Sequence, residues 1–253
     1  MNKQATRIGI AAASLAALTS IAQATSVIQY VANPNPTNFD GYATQPGFQP
    51  WTLNLTAGTA AGTGVIDGGT PAWETPASPA NEEYWTLAPT GADVALGNTE
   101  GWILSGRVRM PDPGLGPWFH TEVSYLDGSK FWAMIFGTDA EGDPIVSVFD
   151  GGVGPSWTNQ LAGTGAYHLY QVVYNPVALN VDVLVDGVER ISNFTGFAIG
   201  GSPVVRWGDP SSTEGHAFYN LVQLEFDPVP EPSVVGLLVA GGALLAGWRR
   251  RKQ

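Results

Sequence analysis

The chain has 253 residues, with 22 acids, 11 basic residues and no cysteine, so disulfides, thiolate chemistry and a lipid-bearing cysteine are excluded. Six of the basic residues lie at the two ends; between residues 25 and 228 five remain against 21 acids, a net −16. A surface that acidic repels nucleic acid and anionic lipid, which excludes a nucleic-acid partner and leaves cation binding and an exterior medium open.

The N-terminus opens with Lys3 and Arg7, continues through an apolar stretch from Ile8 to Ile21 and closes on Ala22-Gln23-Ala24. A basic start, an apolar middle and a small-x-small close are the three regions of a secretory signal peptide. Cleavage is expected after Ala24, with Ala22 and Ala24 as the small residues that mark it. Residues 1–24 are thus read as a signal helix and residues 25–228 as the folded domain. Its roughly 200 residues suit a single all-β domain, stabilised by a core that the aromatic residues supply.

Glycine and proline punctuate short apolar runs throughout that domain, a pattern of strands and turns with no helical periodicity. Asn33 to Pro50 reads as irregular. Thr56 to Pro79 reads as loop with one short strand at Gly64 to Asp67. Trp102, Leu104, Val108 and Met110 alternate with Ile103, Ser105, Arg107 and Arg109, a strand with one core face. Val123 and Tyr125 follow in the same style, and Asp127-Gly128 is a hairpin signal. Lys130 to Phe136 is apolar on both faces, as a central strand should be. Thr138 to Pro144 is a turn before Ile145, Ser147 and Phe149. His168 to Tyr174, Asn180 to Val185 and Val188 to Ser192 form three strands joined at Asn175-Pro176 and Asp186-Gly187. The last strand carries Phe218, Asn220, Val222, Leu224 and Phe226 on one face and Tyr219, Gln223 and Glu225 on the other. About a dozen strands without helices predict a two-sheet antiparallel sandwich.

The C-terminus begins with Pro230-Glu231-Pro232. It then runs uncharged from Ser233 to Trp248 and ends on Arg249-Arg250-Arg251-Lys252. As a helix this run spans about 24 Å, short of the ~30 Å hydrocarbon core, so local thinning or snorkelling closes the gap. Trp248 suits the interface, and the basic cluster stays on the cytoplasmic side. The two prolines hold the preceding backbone extended, as a processing enzyme requires.

Two resemblances follow. "VPEPSVVGLLVAGGALLAGWRRRKQ" (Val229 to Gln253) is similar throughout to the PEP-CTERM sorting signal: motif, apolar helix and basic end are all present. That resemblance implies an exosortase partner, an inner-membrane-anchored precursor and a cell-surface or extracellular-matrix destination in a host that makes exopolysaccharide, often in a biofilm. "YHLYQVVYNPVALNVDVLVDGVER" (Tyr167 to Arg190) resembles a hairpin of laminin-G-like, concanavalin A-like jelly rolls, and "VVRWGDPSSTEGHAFYNLVQLEF" (Val204 to Phe226) resembles their closing strands. The likeness covers about half the domain. It implies a curved sheet whose concave face binds sugar.

Candidate chemistry is sparse. A glycosidase needs two carboxylates about 5–10 Å apart, but the Glu-x-Asp-x-x-Glu strand of the jelly-roll glucanases is absent. Glu82 and Glu83 point to opposite faces, and Asp186 lies in a turn beyond Asp182. No Gly-x-Ser-x-Gly elbow is present. His120, His168 and His216 are far apart, each at a strand start, and His168 reads as packing on its neighbour. Asp139, Glu141 and Asp143 place oxygen donors at alternate positions, as calcium loops do; calcium is the one candidate cofactor. Trp118 and Trp157 in Pro/Gly-rich loops, with Trp132 on the strand that is apolar on both faces, are candidates to stack on sugar. Trp85, Trp102 and Trp207 are expected in the core. The predicted protein is an exported, non-catalytic polysaccharide- or partner-binding sandwich; a glycan-active enzyme and a purely structural matrix component are the alternatives.

Overall fold

The computed structural model describes residues 26–32, 51–56, 62–75, 82–111, 121–158, 166–210 and 215–227. The signal segment, the sorting tail, Trp118 and His120 lie outside the described residues. Among the described residues no helix is long and apolar enough to cross a membrane.

The strands in chain order are β1 (Ser26–Val31), β2 (Thr52–Leu55), β3 (Thr63–Asp67), β4 (Thr70–Glu74), β5 (Glu83–Leu87), β6 (Trp102–Arg109), β7 (Thr121–Leu126), β8 (Lys130–Thr138), β9 (Pro144–Phe149), β10 (Val153–Thr158), β11 (His168–Asn175), β12 (Asn180–Val185), β13 (Val188–Phe194), β14 (Phe197–Ala198), β15 (Val204–Asp209) and β16 (Phe218–Phe226). They form two antiparallel sheets. Sheet 1 runs β13-β12-β11-β6-β16-β4-β3 and sheet 2 runs β10-β9-β8-β7-β15-β5-β2. Strand β6 pairs along one edge of β16; β4 and β1 share the other, β4 at Phe218 and Tyr219 and β1 from Leu221 to Phe226. The all-β, two-sheet sandwich read from the sequence is the architecture found.

The inner faces of both sheets meet in one core, and rings bridge them. Trp102 of sheet 1 lies edge-on to Tyr125 and Trp132 of sheet 2, at 5.2 and 5.8 Å. Tyr30 stacks on Trp207 at 4.6 Å, and Trp73 meets Trp85 edge-on at 5.4 Å. Such pairs add roughly 0.5–1.5 kcal/mol each beyond area burial. Trp85, Trp102 and Trp207 are core residues, as their sequence context indicates.

Turn chemistry fixes the registers. Asp127 Oδ1 accepts from the backbone of Ser129 and Lys130 at 2.8 and 2.7 Å, and Gly128 takes φ 105°. Asp186 and Gly187 take φ 51° and 77°, the left-handed pair that a two-residue hairpin needs. Asn175 Oδ1 caps the backbone N–H groups of Val177 and Ala178.

Four features depart from the sequence reading. First, a helix, α1 (Gly91–Glu100), stands before β6, where no helix is expected. Thr90 and Asp93 form a capping box that starts it, and Gly101 at φ 102° ends it. Its contact face is small: Gly97 is its buried residue, and a Cβ there would meet the Phe226 ring at 2.7 Å. Second, Thr70–Glu74 is a strand and not loop, turned back on β3 through Gly68-Gly69, both at positive φ. Third, β16 bulges at Asn220, where the pairing to β6 slips by one residue. The bulge flips Tyr219 into the core, where its hydroxyl donates to the carbonyls of Glu122 and Gly208, and leaves Asn220 on the outer face. Fourth, Trp157 lies in a strand, not a loop, paired to Val146.

Candidate functional site

The outer face of sheet 1 carries a row of hydrogen-bonding side chains. Register places Gln29 of β1 beside Gln223 of β16, Gln223 beside Ser105 of β6, and Ser105 beside Gln171 of β11. All four alternate with core residues on their own strands: Ile28 and Tyr30, Val222 and Leu224, Leu104, Tyr170 and Val172. Their side chains therefore project outward, one per strand, at intervals of ~4.8 Å.

The row is internally linked. Gln29 Nε2 donates to Gln223 Oε1 at 2.8 Å, Gln223 Nε2 donates to Glu225 Oε1, and Gln171 Nε2 donates to Ser105 Oγ at 3.4 Å. Three of the four are half-buried, which restricts their rotamers while leaving amide atoms in reach of solvent. Burial pushes the Glu225 carboxyl above its ordinary value, against the lowering effect of the Gln223 bond. The rows on either side mix aliphatic and charged residues: Val27, Glu225, Ile103 and Val173 along one, Val31, Leu221, Arg107 and Leu169 along the other.

Beyond Leu221 the face ends in a cationic and aromatic cluster. Arg107 donates through Nη1 to Asn220 Oδ1 at 2.9 Å and stands 5.4 Å from the Tyr167 ring. Arg109 forms a bidentate pair with Asp67, both contacts 2.6 Å, over the Phe218 ring at 4.3 Å. The bulge of β16 builds this end by turning Asn220 and Phe218 outward.

Such a face can hold a ligand rich in hydroxyls and C–H surface. It presents amide and hydroxyl donors and acceptors, with the Glu225 carboxyl beside Gln223. Among the described residues no group of three or more His, Cys, Asp or Glu side chains could hold a metal ion. The acid with the most displaced titration is Glu83, raised from 4.5 to about 7, chiefly by burial and against hydrogen bonds from Trp73 and Gly62. It is 1% exposed. Oε1 accepts from Trp73 Nε1 at 2.9 Å and Oε2 from the Gly62 N–H at 2.6 Å. Both oxygens are occupied inside the sandwich, so this carboxyl is a structural group.

The residues singled out from the sequence fall elsewhere. Trp132 is 1% exposed, ringed by Trp102, Tyr174 and Phe194, with Nε1 donating to Asp127 Oδ2 at 2.8 Å. With the Lys130 ammonium 5.1 Å over the ring and Gly196 against it, no face is left to stack on a sugar; apolar character on both faces of β8 marked burial, not binding. Trp157 is half-buried against the core, with the Arg190 guanidinium 4.6 Å from its ring. In the proposed calcium turn, Asp139 Oδ1 accepts from the Asp143 backbone N–H at 2.7 Å, so that carboxylate caps its own turn and the three acids do not gather. His168 begins β11 as expected and meets Asp186 at 2.7 Å through Nδ1; Asp186 Oδ1 accepts from the Leu169 N–H. These bonds hold the Asp186 carboxyl below its usual value although burial opposes them. Asp182 accepts from the Asn193 N–H, and His216 meets Glu74 at 3.0 Å. Ala22, Ala24, Trp118, Pro230, Glu231, Pro232, Trp248, Arg249, Arg250, Arg251 and Lys252 lie outside the described residues.

No protein-family model and no curated protein matches the chain. Among solved structures it is similar to a protein of unknown function from Shewanella oneidensis MR-1, at 11% identity and TM-score 0.49, covering 87% of this chain and 95% of that one. It is similar to a conserved carbohydrate esterase of the Shiga toxin-encoding bacteriophage phi24B, at 13% identity and TM-score 0.49, covering 79% and 98%. A structure of botulinum neurotoxin type C matches at 10% identity and TM-score 0.47, covering 84% of this chain and 51% of that one. Likeness at this level transfers no activity and no ligand.

The glutamine row was missed because its members are 194 residues apart in sequence at the extremes. The local signal is there: Gln29, Gln171 and Gln223 each occupy an outward position between two buried apolar residues of their strand. Only the register shows that the three positions are collinear.

Proposed function

We propose that the chain is an exported surface protein whose sandwich binds a neutral polysaccharide without turning it over. Residues 1–24 direct secretion. Residues 25–228 are a jelly roll of the concanavalin A-like and laminin-G-like class. Residues 229–253 are a PEP-CTERM signal that anchors the precursor in the inner membrane and is handled by an exosortase.

The row Gln29–Gln223–Ser105–Gln171 carries the binding reading. An extended chain of sugars offers repeated hydroxyls and apolar C–H patches. One amide or hydroxyl per strand meets the first, and the aliphatic residues on both sides meet the second. The half-buried amides are partly fixed by one another, so little side-chain entropy is lost on binding. A neutral glycan is favoured because the domain carries net −16, which repels anionic polymers at ordinary ionic strength. Asp127, Asp139 and Asp186 cap turns and Asp67 and Glu122 sit in ion pairs, which supports a binding role over a glycosidase.

Affinity electrophoresis in gels cast with the neutral fraction of the host's own exopolysaccharide tests the binding. The protein is expected to be retarded in that gel and to run freely in a plain one. Free migration in every polysaccharide gel removes the reading. The sorting role has a separate test. Replacing Pro230, Glu231 and Pro232 with alanine is expected to leave a full-length, membrane-retained form in the native host, detectable by immunoblot of the membrane fraction. Normal processing of that variant contradicts it.

A further inference from the structure

The outer face of sheet 2, on the opposite side of the sandwich, holds a cavity of about 320 Å³. Its walls are Phe131, Phe149 and Phe197 with Leu126, Ile199 and Val204; Ser124 and Arg206 supply its polar atoms. The three phenyl rings are in edge contact, Phe131 with Phe149 at 5.7 Å and Phe149 with Phe197 at 5.2 Å. Ile199 is 46% exposed.

The polar floor is built and constrained. Arg206 Nε donates to Glu122 Oε1 at 2.5 Å, and the Ser124 hydroxyl donates to the same oxygen at 2.6 Å. The Glu122 side chain is 8% exposed and that of Arg206 30%. The Tyr84 and Phe131 rings lie 5.5 and 5.3 Å from the guanidinium carbon. The guanidinium plane is therefore held on three sides. Among the described residues its hydrogen bond runs through Nε, which leaves the two terminal nitrogens for an oxygen entering the cavity.

A partly buried ion pair is a weak source of stability, since desolvation offsets much of the Coulomb gain. Placing one beneath three phenyl rings makes physical sense as a fixed donor in an apolar site. Because Glu122 already neutralises Arg206 and the domain is acidic, a carboxylate guest gains little. A bare sugar leaves most of its hydroxyls against phenyl rings, unsatisfied. We propose that this cavity binds a neutral small molecule, or substituent, made of a compact aryl or branched-alkyl group carrying one carbonyl. The apolar body packs on Phe131, Phe149 and Phe197, and the carbonyl oxygen accepts from the terminal nitrogens of Arg206. The site is independent of the polysaccharide face, and either can fail without the other.

Benzamide is a probe with that chemistry, and benzoate is its charged counterpart. Saturation-transfer NMR on the full chain is expected to show transfer to benzamide at millimolar concentration and at least fivefold weaker binding of benzoate. Ile199→Trp fills the mouth from an exposed position and is expected to weaken benzamide binding at least tenfold; Ile66→Trp, on exposed β3 of the other sheet, leaves it unchanged. Arg206→Lys keeps a charge beside Glu122 but loses the planar fork, and is expected to weaken benzamide several-fold while the far-UV spectrum stays native. No transfer to benzamide, equal or tighter binding of benzoate, or transfer unaffected by Ile199→Trp overturns the proposal.

Discussion

Replacing Trp132 with alanine is expected to lower the unfolding free energy by about 3–5 kcal/mol. The ring is enclosed by Trp102, Tyr174 and Phe194, and it rests on the backbone of Gly196, where a Cβ would lie 2.8 Å from the ring. Gly196 takes φ +74°, so the segment leading to β14 is shaped to this ring. Alanine leaves a cavity that rigid neighbours on both sheets cannot close, and it strands Asp127 Oδ2. Trp132→Phe keeps most of the packing and loses the Nε1 hydrogen bond, for about 1–2 kcal/mol. Urea unfolding followed by far-UV circular dichroism measures both. For a domain of this size the alanine change corresponds to a fall in Tm of roughly 6–20 °C. A loss below 1 kcal/mol contradicts the core assignment and restores Trp132 as a surface residue.

The second large effect is a pH dependence set by Glu83. In the unfolded chain this carboxyl ionises near 4.5; in the fold, burial holds its proton to about 7, against the hydrogen bonds from Trp73 and Gly62. Below pH 4.5 both states are protonated and the group costs nothing. Between 4.5 and 7 the unfolded state releases the proton first, so stability falls as pH rises. Above 7 both states are ionised and the loss levels off at about 3 kcal/mol, from ~1.4 kcal/mol per pH unit of displacement. Asp209, the cross-strand partner of Glu83 on β15, is also buried and adds a second carboxyl to the same end of the core. Urea midpoints at pH 5 and pH 8 read the effect. Glu83→Gln removes the titration and is expected to flatten that part of the profile, at a lower stability at pH 5 because its amide N–H faces the Gly62 donor. Parallel pH profiles for the two proteins contradict the assignment.

What could be read from the sequence were the features that nearby residues dictate. Asp127-Gly128 and Asp186-Gly187 carry the turn within themselves, so the hairpins they join were found. The alternation in Trp102 to Met110 gave the core face of β6 directly. Features set by distant partners were misread. Helix α1 has no long apolar stripe because it meets the core through Leu96 and a glycine, Gly97, pressed on Phe226, and only Thr90-x-x-Asp93 and Gly101 announce it. The bulge at Asn220 is invisible to a strict period of two, which therefore assigned Tyr219 and Phe218 to the wrong faces. Trp132 was ambiguous because a strand covered on both sides looks the same as one that displays a ring. The glutamine row exists only once four strands from separate parts of the chain lie side by side, and the phenyl-lined cavity only once five do.

The outer face of sheet 1 is the proposed seat of the polysaccharide. The most direct test compares dissociation constants, from affinity electrophoresis at graded polysaccharide concentration, for the native protein, Gln171→Ala/Gln223→Ala and Ile199→Trp. Both glutamines are outward and half-buried, so their loss leaves the core intact. At about 1 kcal/mol for each hydrogen-bonding side chain, the double variant is expected to bind at least tenfold more weakly, while Ile199→Trp on the other sheet binds as the native protein does. Native affinity in the glutamine variant, or a loss confined to Ile199→Trp, contradicts the account.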